Sequence, residues 1–193
     1  LELSRFLPKK ALKQPLLVTI LFTYLLSFIL PYHGWGFMVQ GGCLIFFAIW
    51  LMHYDMVRKS IRSGGLHRFS GTNLFVGYVW LLISGVLMIF SPQFLLGYDA
   101  FVHAFFLGFT FSMIFAHGPI ILPGLARLTY RPYHPFMYTW SVILQVSVLL
   151  RVATDLLELP ILRQWSGLIS TVAIVGYLGN LLYLIVRHGR KGK

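Results

Sequence analysis

Charge is what this sequence has least of. Five of its 193 residues are acidic and 11% are charged in total, where a soluble domain carries about a quarter. A water-soluble fold of this size is thereby excluded. Cysteine is nearly absent too: the single Cys43 lies inside an apolar stretch, where it has no intramolecular disulfide partner and reads as a small packing residue. The grammars of common enzymes are missing. There is no G-x-S-x-G elbow, P-loop, H-E-x-x-H, C-x-x-C or C-x-x-C-H, and no carboxylate pair within an apolar segment for general acid and base work. No fixed-period repeat, low-complexity tract or linker long enough for a second domain interrupts the chain, so residues 1–193 read as one domain.

What is present is apolar surface, at 58% hydrophobic and 17% aromatic residues. Measured against the roughly 20 residues a helix needs to cross a bilayer, hydropathy predicts six spans, at about 15–31, 34–54, 72–91, 100–122, 136–157 and 166–187. Breaks fall at Pro31 with Gly34 and Gly36, Ser63-Gly64-Gly65, Ser91-Pro92, Pro119 with Pro123 and Gly124, Pro132 with Pro135, and Pro160. The expected architecture is an all-α integral membrane bundle of six helices. No small-residue cleavage site precedes Trp35, so a cleaved signal peptide is not expected.

The net charge of +11 does not imply nucleic acid, because the basic residues sit in short loops instead of on one face of a soluble body. All sixteen Lys and Arg except Arg151 and Arg163 fall in alternate segments, at Arg5 to Lys13, Arg58 to Arg68, Arg127 with Arg131, and Arg187 to Lys193. Asp99, Asp155 and Glu158 fall on the other side. The positive-inside bias then puts both termini in the cytoplasm, in a bacterial inner membrane. Tyr32, Trp35 and Trp165 on the outer rim, with Trp50, Tyr54, Tyr130 and Tyr133 on the inner one, suit interfacial aromatic belts.

Seven histidines are many for so apolar a chain. His67, His134 and His188 fall in inner loops or helix ends, where solvation accounts for them. His103 and His117 differ, because both lie on the fourth expected helix. At about 100° and 1.5 Å per residue, fourteen residues separate them by about 21 Å along one face, with only about 40° between their directions. Histidine within a span lacks partners in lipid and is by default a functional hypothesis.

A pair of b-type haems stacked across the membrane uses such an arrangement, each iron taking axial imidazoles from facing helices. His53, at the inner end of the second helix, is placed to face His117; His33, in the outer turn before that helix, is placed to face His103. Arg151 has two readings: a clamp on haem propionates, or an intrahelical ion pair with Asp155 at i+4. Along the histidine stripe, Phe106, Leu107, Thr110, Met113 and Ile114 serve equally as a haem wall or as ordinary packing, with Gly108 on the opposite face.

The stretch His103-Ala-Phe-Phe-Leu-Gly-Phe-Thr-Phe-Ser-Met-Ile-Phe-Ala-His117-Gly-Pro-Ile-Ile-Leu-Pro123 resembles the His-led, glycine-containing, proline-terminated helices of the NnrS family of haem and copper membrane proteins. It is also similar to short relatives of subunit I of the haem–copper oxidases. The resemblance covers about two dozen residues and implies haem ligation by His103 and by His117, in a bundle connected with nitric oxide or respiratory electron transfer. The chain has half the spans usual in either family and no closely spaced histidines for copper beside a haem, so copper is not expected.

The resulting expectation is an electron-transfer subunit holding one or two b-type haems. Its partners would be membrane lipid, other subunits of a redox complex and a quinone, the last contacted by His67, Arg68 and His134. Two alternatives stand beside it: a haem-free packing subunit of a membrane complex, and a small-solute transporter, for which paired broken half-helices would be the signature.

Overall fold

The computed structural model describes residues 13–125 and 130–191. Among them there is no strand, and five helices are long and apolar enough to cross a membrane. Helix α1 covers Lys13–Leu26, α2 Phe37–Tyr54, the short α3 Val57–Ile61, and α4 Gly65–Phe90. One continuous rod, Gly97–Leu125, consists of α5 (Gly97–His103), a π-helical segment (Ala104–Thr110) and α6 (Phe111–Leu125). Helices α7 (Met137–Leu156) and α8 (Pro160–Lys191) form an antiparallel pair. The apolar helix Gln14–Ile29 is shorter than the five, at about 24 Å against a hydrocarbon core of about 30 Å. Arg5, Lys9, Lys10, Arg127 and Lys193, and the side chains of Lys13, Tyr32, His33, His188, Arg190 and Lys191, lie outside the described residues.

Several boundaries differ from the expected ones. Helix α4 begins at Gly65 instead of 72, which puts His67 and Arg68 in its first turn, and α8 begins at Pro160 instead of 166, which takes in Arg163 and Trp165. Hydropathy marks only the apolar middle of a helix, whereas the hydrogen-bond ladder continues into polar residues until a cap stops it; Pro160 suits a first turn because its missing N–H has no partner there anyway. Pro119 and Pro123, expected as breaks, both lie inside α6. Pro119 has no N–H to give the Phe115 carbonyl, and the hydroxyl of Tyr177 donates to that carbonyl instead, at 2.6 Å. The Tyr177 and Phe115 rings stack with centroids 3.7 Å apart. Tyr177→Phe is therefore expected to cost about 1 kcal/mol, read as a shifted midpoint in detergent unfolding.

Helix α4 is the centre of the bundle. On one side it packs on α2, where Gly41 and Gly85 bring the backbones together, and on the other it meets the Gly97–Leu125 rod. Trp80 of α4 lies over Gly108, and its indole N–H donates to Gln145 of α7, whose amide in turn donates to Ser112 of α6. The core is Phe69, Trp80, Phe115, Leu144, Val148 and Tyr177 with their neighbours. The outer faces stay apolar: Val142, Val146 and Leu149 on α7, and Leu168, Val172, Val175 and Leu182 on α8, are exposed. Surface of that composition is stable against hydrocarbon, not water.

Candidate functional site: two imidazoles and a buried ion cluster

Antiparallel packing gathers the charges at two ends. Asp99, Asp155, Glu158 and Arg163 mark one, while Arg58, Lys59, Arg62, Arg68, Arg131 and Arg187 mark the other, which carries α3. At the first end the rod, α7 and α8 converge on Asp155, which is completely buried. Arg151 Nε, one helical turn back, lies 3.1 Å from Asp155 Oδ2, and Arg163 Nε approaches Asp155 Oδ1 at 3.0 Å. That second approach is off the line of a hydrogen bond, so Oδ1 has a charge beside it and no bonded proton. Arg163 also pairs with Asp99 through Nη2, and Arg151 Nη1 donates to the Arg163 carbonyl at 3.3 Å. Two guanidinium groups thus face two carboxylates, and the cluster is neutral as a unit.

His103 borders this cluster. Its Nδ1 lies 2.7 Å from the Asp99 carbonyl and 3.6 Å from Asp155 Oδ2. Both neighbours are acceptors, so Nδ1 is the donor, and in the neutral ring the lone pair is on Nε2. His117 repeats the pattern, with Nδ1 2.9 Å from the Met113 carbonyl. Each imidazole is oriented by the carbonyl four residues back, as ligating histidines are by their outer-shell acceptors.

The two rings do not share a face. The π segment between them closes i→i+5 turns, visible where the Phe111 backbone N–H donates to the Phe106 carbonyl. It takes up about one extra residue, which widens the angle between the two histidines from about 40° to about 140°. His103 accordingly faces α7, and His117 is exposed beside Ile114, Ile121 and Leu125. The stripe expected to wall a haem is split with them. Phe106 and Ile114 face outward, and the Met113 methyl sits where Gly77 of α4 leaves room.

Of the expected partners, His53 is exposed in the last turn of α2, its ring edge-on to Tyr54 at 4.7 Å. Arg151 forms the intrahelical ion pair that was one of its two readings. The three residues expected at a quinone are not in one place. Arg68 lines a cavity of about 470 Å³ with Thr72, Tyr133 and Tyr138, whereas His134 lines another of about 440 Å³ between α7 and α8, and His67 is exposed. Burial first, then Tyr138, pushes the Tyr133 phenol above its ordinary value, while Arg68 pulls it down.

Sequence reasoning missed Arg163 and Asp99 as members of the cluster. Only the i→i+4 spacings of Asp99 to His103 and of Arg151 to Asp155 signalled it; the approach of α8 had no local signal. Among the described residues, no group of three or more His, Cys, Asp or Glu is arranged to hold a metal ion. Comparison with curated proteins and with solved structures finds no match. By a match over residues 1–186, the chain belongs to the family described as Domain of unknown function (DUF8744).

Proposed function

We propose that this chain is a membrane-spanning b-type haem protein, an electron-transfer subunit of a respiratory-type complex, with six crossings and both termini cytoplasmic. The observation that carries the reading is the shared geometry of His103 and His117: each aims Nδ1 at a backbone carbonyl, which in a neutral ring leaves the lone pair on Nε2, the nitrogen that ligates haem iron. The sequence resemblance to NnrS-type helices points to the same two residues. The donors fit the group one by one; a single shared face does not. His103 and His117 would therefore belong to separate haems, and His33 and His53, as second ligands, would have to reach them from the α2 side of α4. Bound haem would supply a one-electron carrier in hydrocarbon; the chain's own part is to orient the imidazoles. Basic residues gathered at the α3 end support the orientation, and the α1 helix supplies the sixth, shorter crossing. A quinone would sit against Arg68, Tyr133 and Tyr138, the cavity at that end with phenols beside a cation.

A dithionite-reduced minus oxidised spectrum of the purified chain tests the proposal. An α-band is expected, and its absence together with no extractable haem overturns it. Because the two rings point apart, His103→Ala and His117→Ala should each remove one part of the absorbance and leave the other.

One observation favours a second reading. The cluster that touches His103 is neutral and closed on itself, as a purely structural clasp would be. If His103→Ala with His117→Ala left both assembly and electron flux from quinol unchanged, the chain would be a haem-free packing subunit.

A further inference from the structure

We infer that the cavity between α7 and α8 at the α3 end seats the phosphate headgroup of an acidic membrane lipid. Its volume is about 440 Å³, and its lining includes His134, Phe136, Trp140, Asn180, Tyr183 and Arg187. The polar groups here donate. The Phe136 backbone N–H donates to His134 Nδ1 at 3.2 Å, so the neutral imidazole carries its proton on Nε2. Asn180 lies half-buried in a helix of spanning length, and its amide has no partner among the described residues. In hydrocarbon such an amide is costly unless something accepts from it.

Arg187 completes the set. Its guanidinium lies over the Tyr183 ring, 5.9 Å from the centroid, and pairs with no carboxylate among the described residues. At this end of the bundle the one described carboxylate is Asp55, which accepts from Tyr78 at 2.6 Å and is no lining residue of the cavity. A cation and two donors beside Phe136, Trp140 and Leu184 call for an anionic, acceptor-rich head joined to an apolar tail. Basic pockets between helices at the headgroup level recognise acidic phospholipids in this way. The inference rests on the bundle lying in a bilayer and is independent of haem.

The test uses the full chain in nanodiscs of equal phosphatidylcholine and phosphatidylglycerol, with retained lipid counted by native mass spectrometry. Preferential retention of phosphatidylglycerol is expected. Arg187→Gln should reduce that preference about fivefold, and Arg187→Lys, which keeps the charge, should preserve most of it. Arg58→Gln, exposed on α3 at the same end and outside this cavity, should leave it unchanged. Equal retention of both lipids overturns the inference. So does a loss on Arg58→Gln as large as on Arg187→Gln, since a diffuse positive field would then be the cause. Displacement by millimolar inorganic phosphate would make this a free-phosphate site, and Arg187-dependent displacement by decylubiquinone would make it a quinone site; either result rejects a lipid seat.

Discussion

Asp155→Asn is expected to lower stability by about 3–5 kcal/mol, because it leaves buried cationic charge without its counter-charge. Arg163 would keep Asp99 as a partner, whereas Arg151 would keep only the Arg163 carbonyl. The stranded charge is therefore that of Arg151, which is 13% exposed. Adding Arg151→Leu to Asp155→Leu should recover much of the loss, since removing both members of a buried ion pair is far milder than removing one. Reversible unfolding in mixed micelles, run as a double-mutant cycle, checks this. Strictly additive effects would mean that the two side chains do not interact. The same variants bear on the proposed function: the Asp99 carbonyl still orients His103 when Asp155 is neutral, so ligation at His103 should survive wherever the fold does.

The second large effect is expected at the contact between α2 and α4. A Cβ added at Gly85 would lie 2.6 Å from the Gly41 carbonyl oxygen, 2.7 Å from Ile45 Cγ1 and 3.0 Å from the Ile45 backbone nitrogen. Two of these three neighbours are backbone and cannot rotate away, so Gly85→Ala should force the helices apart and cost about 2–3 kcal/mol. Gly42 is the control. A Cβ there meets nothing within 4 Å, so Gly42→Ala should be neutral or slightly stabilising through helix propensity. Equal effects at the two positions, by loss of folded protein in detergent or by unfolding midpoint, would contradict the close approach. This packing also bears on the transporter alternative. Gly41 and Gly42 lie within continuous α2, where Gly41 serves a helix contact and not a broken half-helix.

The local chemistry of the amino acids determined a good part of this protein. Long apolar runs with charge confined between them specify helices of spanning length, because only a helix satisfies every backbone group in lipid. Asp155 as a partner for Arg151 at i+4 was likewise legible from helical spacing, whereas the i−4 carbonyls that orient His103 and His117 came from the structure. Tertiary structure decided the directions. An i→i+5 turn is rare and is not what local propensity selects, and the π segment lies where Gly108 beds against Trp80 of another helix; that contact involves a residue 28 positions away, and no periodicity in the rod itself records it. The turn rotates His117 away from His103 and undoes a face that spacing alone predicted. Arg163 joined the ion cluster, and Tyr177 reached the carbonyl left free by Pro119, for the same reason: sequence marks which groups need a partner, and packing between distant helices determines which residue supplies it.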